Sequence, residues 1–312
     1  MPGPYVHITL LHELMRPGTL ESIFSPSSRY GASLTTYFPF CALGAVSPDY
    51  PNLARGDRAA SGWADAMHCS RACEMITSGI RHVRASRGPV RDKQLAWLLG
   101  YCAHVVADVT IHPVVQAKVG LYSENQRHHR ICEMNQDSYI YRRMNLGEIG
   151  VSDSFARIVA QCSSASDRTQ LDSDIVTLWE GMLKEVHPEL YGTHQPDSAS
   201  WHREFIAAVD GQTAGAAGLF PLAAVIATKM DLAYPAYDAV DRQYIDGQKV
   251  SSKTRHLLHY DRIFDCAAEN VAAIWRLVER TVCDENVFNL PVFGDWNLDS
   301  GLDELGRVVF WD

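Results

Sequence analysis

The segment from Gly100 to Pro113, GYCAHVVADVTIHP, places His104, Asp108 and His112 at two successive four-residue steps. In an α-helix residues four apart stack on one face, so three side chains of metal-ligand type share one stripe. Val105, Val106, Ala107, Val109 and Ile111 between them are apolar. That sets the stripe against a hydrophobic core, where a polar group is costly unless it is paired. A metal ion satisfies all three at once. The competing reading is a core helix whose histidines are hydrogen-bonded and whose aspartate caps or bridges.

Working outward, HHRICEMNQD (128–137) repeats the four-residue step with His129 and Glu133, a nitrogen and a carboxylate that together suit a metal. His128 with Cys132 competes at the same spacing, and a lone pair of this kind is more often a solvated helical hydrogen bond. Upstream, Asp49 sits between Pro48 and Pro51, and His68 lies in the helical stretch WADAMHCSRACEM. Singly, Asp49 reads as a turn residue and His68 as a core histidine. His7 precedes both. Eight of the thirteen histidines fall in residues 1–150, but spacing rather than density carries the argument.

Helical periodicity dominates the rest of the chain, and strand-like alternation between turn residues is scarce. The expected class is all-α, a multi-helix globular bundle, organised as one domain over residues 1–312. The metal-ligand half covers about 1–150, and the remaining helices and tail about 151–312. The opening residues feed a helix from about Tyr5 that Pro17 and Gly18 stop. ALGAVSPDYPNLARGD reads as a loop, because each proline restricts its neighbour to extended backbone. Helices are expected near Arg58 to Ala85, Arg91 to Val119 and Asn125 to Met144, with two more across Ser152 to Glu189. HPELYGTHQPDSAS reads as a linker, followed by helices near Ser200 to Val209, Ala214 to Leu232 and Ser252 to Thr281. NLPVFGDWNLDSG is a looped end, and the second half as a whole reads as structural.

Composition narrows the function classes. A net charge of −9 leaves no basic excess for a phosphate backbone, so long duplex nucleic acid is not an expected partner. A single phosphate in a local pocket remains compatible with it. Charged residues interrupt the first 25 positions, no run of about 18 apolar residues follows, and the expected location is cytoplasmic with no integral membrane segment. The eight cysteines show no Cys-x2-Cys pair and read mostly as buried thiols.

Taken in chain order, His7, Asp49, His68, His104-x3-Asp108, His112 and His129-x3-Glu133 resemble the zinc-dependent phospholipase C family. That family shares its all-helical fold with the secreted zinc nucleases that cut single strands. The resembling region runs from about His7 to Asp137 and is densest in GYCAHVVADVTIHP and HHRICE. The resemblance implies one zinc on Asp49, His68, His104 and Asp108, and a second on His112, His129 and Glu133. Asp108 would bridge to a third that also takes His7 and the mature N-terminus. Two departures stand out: the chain opens Met-Pro-Gly-Pro where secreted members expose a tryptophan, and the Asp108-to-His112 interval is shorter than theirs.

A nitrogen-rich, thiolate-free ligand set suits two or three zinc ions better than calcium or magnesium, with manganese or iron not excluded by spacing. Such a site activates water and clamps a phosphoryl group, so the expected activity is hydrolysis of a phosphate ester or phosphodiester, with a small molecule as partner. Asp49 is the candidate catalytic residue, as ligand or as the carboxylate that orients and deprotonates the water. Two alternatives stand beside this: a metal-dependent enzyme acting on another kind of substrate, and a non-catalytic helical protein stapled by its metal. Di-iron bundles expect Glu-x2-His repeats, and His-Asp phosphohydrolases an adjacent His-Asp pair; neither occurs. LAYPAYDAVDRQY and HLLHYD read as structural before pocket-lining, and His256, His259 and Asp261 form only a secondary constellation.

Overall fold

The computed structural model describes residues 2–24, 28, 30–54, 56–150, 154–212, 218–250, 256–284, 290 and 293–311. The fold is all-α, and among these residues only isolated β-bridges form. Its helices are α1 (Pro4–Leu14), α2 (Pro17–Ile23), α3 (Tyr30–Thr36), α4 (Phe38–Gly44), α5 (Arg58–Cys69), α6 (Ala72–Ala85) and α7 (Gly88–Val119). They continue with α8 (Tyr122–Tyr141), α9 (Ser154–Val159), α10 (Ser173–Val186), α11 (Pro188–Thr193), α12 (Ser198–Gln212), α13 (Pro221–Met230) and α14 (Tyr260–Cys283).

α7 is the axis of the molecule, packed by α4, α14, α6, α8 and α10. By length and apolarity it would pass for a membrane span, yet that stretch is wholly buried by its neighbours, which makes it the core helix. Two glycines bring α4 onto it at backbone distance. A Cβ on Gly44 would sit 2.0 Å from the Trp97 carbonyl oxygen, and one on Gly100 would sit 1.9 Å from that of Cys41. Only glycine permits this approach. It carries the Ala45 carbonyl to His104.

α1 is docked from outside itself. The first N–H groups of a helix lack partners within it, and here Asp137 of α8 supplies one by accepting from Val6 N at 2.7 Å. Gly3 leaves the room: a Cβ there would lie 2.0 Å from Asp137 Oδ2. The result aims His7, one residue further on, at α7.

Several boundaries differ from the sequence reading. Asp49 lies in a 3-10 helix (Ser47–Leu53) rather than a loop, since the fixed φ of Pro48 and Pro51 fits 3-10 geometry as well as extended backbone. The single helix expected over Arg58 to Ala85 breaks into α5 and α6. Arg71 turns left-handed there, with φ 57°, and its N–H reaches Asp295 Oδ1 at 3.0 Å. Pro17 starts α2 as well as ending α1, and the expected linker contains α11. The proposed starts at Ala214 and Ser252 lie outside the described residues, and helix resumes at Pro221 and Tyr260.

After α14 the chain returns as a strap, residues 293–311, across α5 and α7. Pro113 removes one N–H from α7, so the Val109 carbonyl has no helical partner. The strap's Gly301, with φ 68°, packs against that point, where a Cβ would meet Pro113 Cδ at 2.4 Å and Val109 O at 2.7 Å. Trp311 Nε1 donates to Thr110 O at 2.7 Å.

Candidate metal centre

α1, the 3-10 helix, α5 and α7 deliver His7, Asp49, His68, His104 and Asp108 to one buried cluster. Ligand atoms of His7, His104 and Asp108, and separately of Asp49, His68 and His104, all lie within 4.8 Å of one another. The two oxygens of Asp108 divide between neighbours. Oδ1 faces His7 Nε2 at 3.2 Å, while Oδ2 faces His104 Nε2 at 3.4 Å and His68 Nε2 at 3.9 Å. Asp49 Oδ1 lies 3.7 Å from His68 Nε2.

The tautomers are set from behind. His68 Nδ1 donates to Ala64 O at 2.7 Å and His104 Nδ1 to Ala45 O at 2.9 Å. His129 Nε2 donates to Gly120 O at 2.7 Å, and His112 Nδ1 to Leu298 O. A carbonyl only accepts, so each ring carries its proton on that nitrogen and presents a lone pair on the other. This is how a metal-binding imidazole is held.

Several of the presented atoms are buried without a hydrogen bond: both ring nitrogens of His7, Asp49 Oδ1, both Asp108 oxygens, His112 Nε2 and His129 Nδ1. Buried polar atoms are seldom left so, since each costs about 1–3 kcal/mol. Ligands at about 2.1 Å around a tetrahedral ion stand roughly 3.4 Å apart. The 3.2, 3.3 and 3.4 Å separations in the cluster match that spacing. The residues present therefore fit a metal such as zinc.

Electrostatics agree. Burial alone would push the Asp108 carboxyl up, but the imidazoles of His104 and then His7 hold it well below the usual carboxylate range. Burial and the facing His104 lower His7. Burial opposes protonation of His104 as well, yet Asp108 beside it raises that ring.

The second expected group is looser. His129 Nδ1 lies 4.0 Å from Glu133 Oε1, and His112 joins no tight three-ligand cluster among the described residues. Burial of His112 lowers its pKa to about 4, which keeps it neutral and ligand-competent. Of the two pairings open on α8, His129 and Glu133 point inward, whereas His128 is exposed. Arg130 went unnoticed in the sequence. It donates from Nη1 to Glu133 Oε2 at 2.7 Å and from Nη2 to Tyr122 Oη at 3.0 Å. Burial raises the Glu133 pKa, but Arg130 together with the further positive groups around it, His112 and His129 among them, outweighs burial and holds the carboxyl below its usual range. Its position three residues before Glu133 was the available signal.

A cavity of about 540 Å³ opens beside the cluster. Asp49 and His68 face it, as do Tyr122 and Arg130 of α8, while Leu222, Val225, Ile226 and Met230 of α13 form an apolar wall and Asp299 comes from the strap. The expectation of a purely structural second half is thus corrected, since α13 and the strap reach the site. His259 is instead the N-cap of α14, accepting from Asp261 N at 3.1 Å, away from the cavity. The cysteines of the described chain are free, with Cys41, Cys73, Cys102, Cys132 and Cys162 buried.

No curated protein and no solved structure matches the chain. The sequence profile described as zinc dependent phospholipase C matches residues 6–189, which include every residue of the proposed ligand set. With that match over more than half its length, and an all-helical fold carrying buried His/Asp clusters, the chain belongs to the zinc-dependent phospholipase C family, hydrolases of phospholipase C type.

Proposed function

We propose that the chain hydrolyses a phosphate ester or phosphodiester with water, using two or three zinc ions. Asp49, His68, His104 and Asp108 would hold the first, His112, His129 and Glu133 the second, and His7 with Asp108 a third. The observation that carries this reading is the set of imidazole lone pairs converging on the Asp108 carboxylate beside an open cavity. A structural zinc is closed off by its ligands, whereas this cluster borders a space large enough for a substrate.

Bound zinc supplies a water of lowered pKa and positive charge next to the phosphoryl oxygens. The chain's residues do the rest. Asp49 belongs to the cluster through Oδ1 and also lines the cavity, which supports a role for its carboxylate in orienting the attacking water and taking its proton. Arg130 is the nearest of the positive groups that together lower the Glu133 pKa, and Tyr122 holds Arg130 in place. The apolar face of α13 excludes water from one side of the cavity and receives the hydrocarbon part of the substrate.

The test is turnover of bis-p-nitrophenyl phosphate by protein reconstituted with zinc, beside an Asp49→Asn variant. Activity that needs zinc and falls at least a hundredfold in the variant supports the reading. A fully zinc-loaded protein that leaves this ester and a panel of phosphomonoesters intact sinks it.

A further inference from the structure

The strap lies beyond the residues shared with the family profile, yet the backbone of one of its residues ties two histidines of the proposed site together. Leu298 N donates to His68 O, in the last turn of α5, at 2.8 Å. The Leu298 carbonyl accepts from His112 Nδ1 in α7. The residue is buried, with Leu298 at 0% exposure. The next residue, Asp299, turns into the cavity that Asp49 and His68 line, and its Oδ2 accepts the weak Sγ–H of Cys69 at 3.3 Å.

We propose that this strap is part of the reaction centre: the Leu298 backbone anchors the end of α5 at His68 and orients the His112 ring, and the Asp299 carboxylate receives a hydrogen-bond donor of the substrate. The inference rests on the phosphate-ester reading above and adds a substrate feature to it.

The chemistry follows from what a carboxylate does. Ionised, it accepts hydrogen bonds and donates none. A phosphate is repelled from the Asp299 carboxylate and is drawn to the metal instead. The group that fits Asp299 is an N–H or O–H on the alcohol portion of the ester, an ammonium or a hydroxyl. The Leu298 backbone acts differently, since the hydrogen bond its carbonyl accepts from His112 Nδ1 fixes which nitrogen of that ring faces the ion and where the ring points. Its placement depends on Gly301, three residues on, whose backbone sits where any side chain would strike Pro113 and Val109.

Two full-length variants test this. For Asp299→Asn, three esters are compared: p-nitrophenyl phosphoethanolamine carries an ammonium, p-nitrophenyl phosphoglycerol carries hydroxyls, and bis-p-nitrophenyl phosphate carries no donor. The expected result is a tenfold or greater fall in the kcat/KM ratio of a donor-bearing ester to bis-p-nitrophenyl phosphate, through KM, with zinc content as in wild type. Which donor ester loses more identifies the ammonium or the hydroxyl source. An equal change for all three esters, or none, overturns the role of Asp299. Gly301→Val lifts the strap, and it should bind at least one zinc fewer per chain than wild type while keeping its far-ultraviolet helical signal. Full zinc content in that variant overturns the role of Leu298. Should zinc-loaded wild type cleave none of the esters, the phosphate-ester reading fails and the Asp299 claim with it, while the zinc count still decides the strap.

Discussion

His68 Nε2 and His104 Nε2 face each other across 3.3 Å, while the Nδ1 of each ring donates its proton to a backbone carbonyl. With both rings neutral, two lone pairs at that distance repel. A cation between them converts the repulsion into two bonds. Chelator treatment should therefore lower the melting temperature, by at least about 5 °C for an ion present at a thousand times its dissociation constant, where linkage gives about 4 kcal/mol. Differential scanning calorimetry should show recovery with zinc and none with magnesium, which prefers oxygen ligands. Equal stability with and without chelator would mean the imidazoles are held for another reason.

Replacing Gly100 by alanine should do more than crowd a helix. The added carbon would lie 1.9 Å from Cys41 O, so α4 and α7 must separate, and the Ala45 carbonyl withdraws from His104 Nδ1. Overpacking of this kind costs about 2 kcal/mol, readable as a shift in urea midpoint. The same variant should bind zinc more weakly. A stability loss with unchanged zinc affinity would show that the carbonyl is not what fixes the ring.

Arg130→Met removes the cation beside Glu133, and both groups are buried, at 6% and 1% exposure. Breaking such a pair strands a charge and costs about 3 kcal/mol. The expected loss in urea denaturation is largest in metal-free protein and smaller with zinc, because a bound cation also neutralises Glu133. If zinc makes no difference to the loss, Glu133 is not a ligand.

Acid sensitivity has a source away from the centre. His202 is buried between Tyr50 Oη and Ser163 Oγ, each 2.8 Å from a ring nitrogen, and burial lowers its pKa to about 4. The folded pKa is depressed, so the stability that neutral His202 provides is complete above the unfolded value near 6.5 and is lost as pH falls toward 4. The span corresponds to about 3 kcal/mol. Urea midpoints of metal-free protein between pH 7 and pH 4 should fall less steeply for His202→Gln than for wild type. Identical slopes would place the acid sensitivity elsewhere.

How much of this was legible in the sequence depends on how local each feature is. The His104–Asp108–His112 stripe was readable because helical spacing alone puts it on one face, and its apolar neighbours predict the burial that α7 shows. The choice between His129 with Glu133 and His128 with Cys132 was not, because only the packing of α8 decides which side of that helix is inside. Breaks between helices were hidden for a similar reason: Arg71 adopts its left-handed turn where Asp295, far along the chain, accepts its N–H. Leu298, Asp299 and the α13 wall lie in segments without any ligand-like spacing. They reach the centre through long-range approach, at Gly301 for the strap, and residue type gives no sign of that.

The central claim is that Asp108, through its two oxygens, joins the imidazoles into a site for more than one zinc. The most direct measurement is zinc per chain by plasma mass spectrometry, on protein prepared without chelator or histidine tag, with Asp108→Ala in parallel. The account predicts two or three zincs in wild type and a fall of at least one in the variant. Wild-type protein that takes up no zinc after reconstitution, or a variant that keeps all of it, would contradict it.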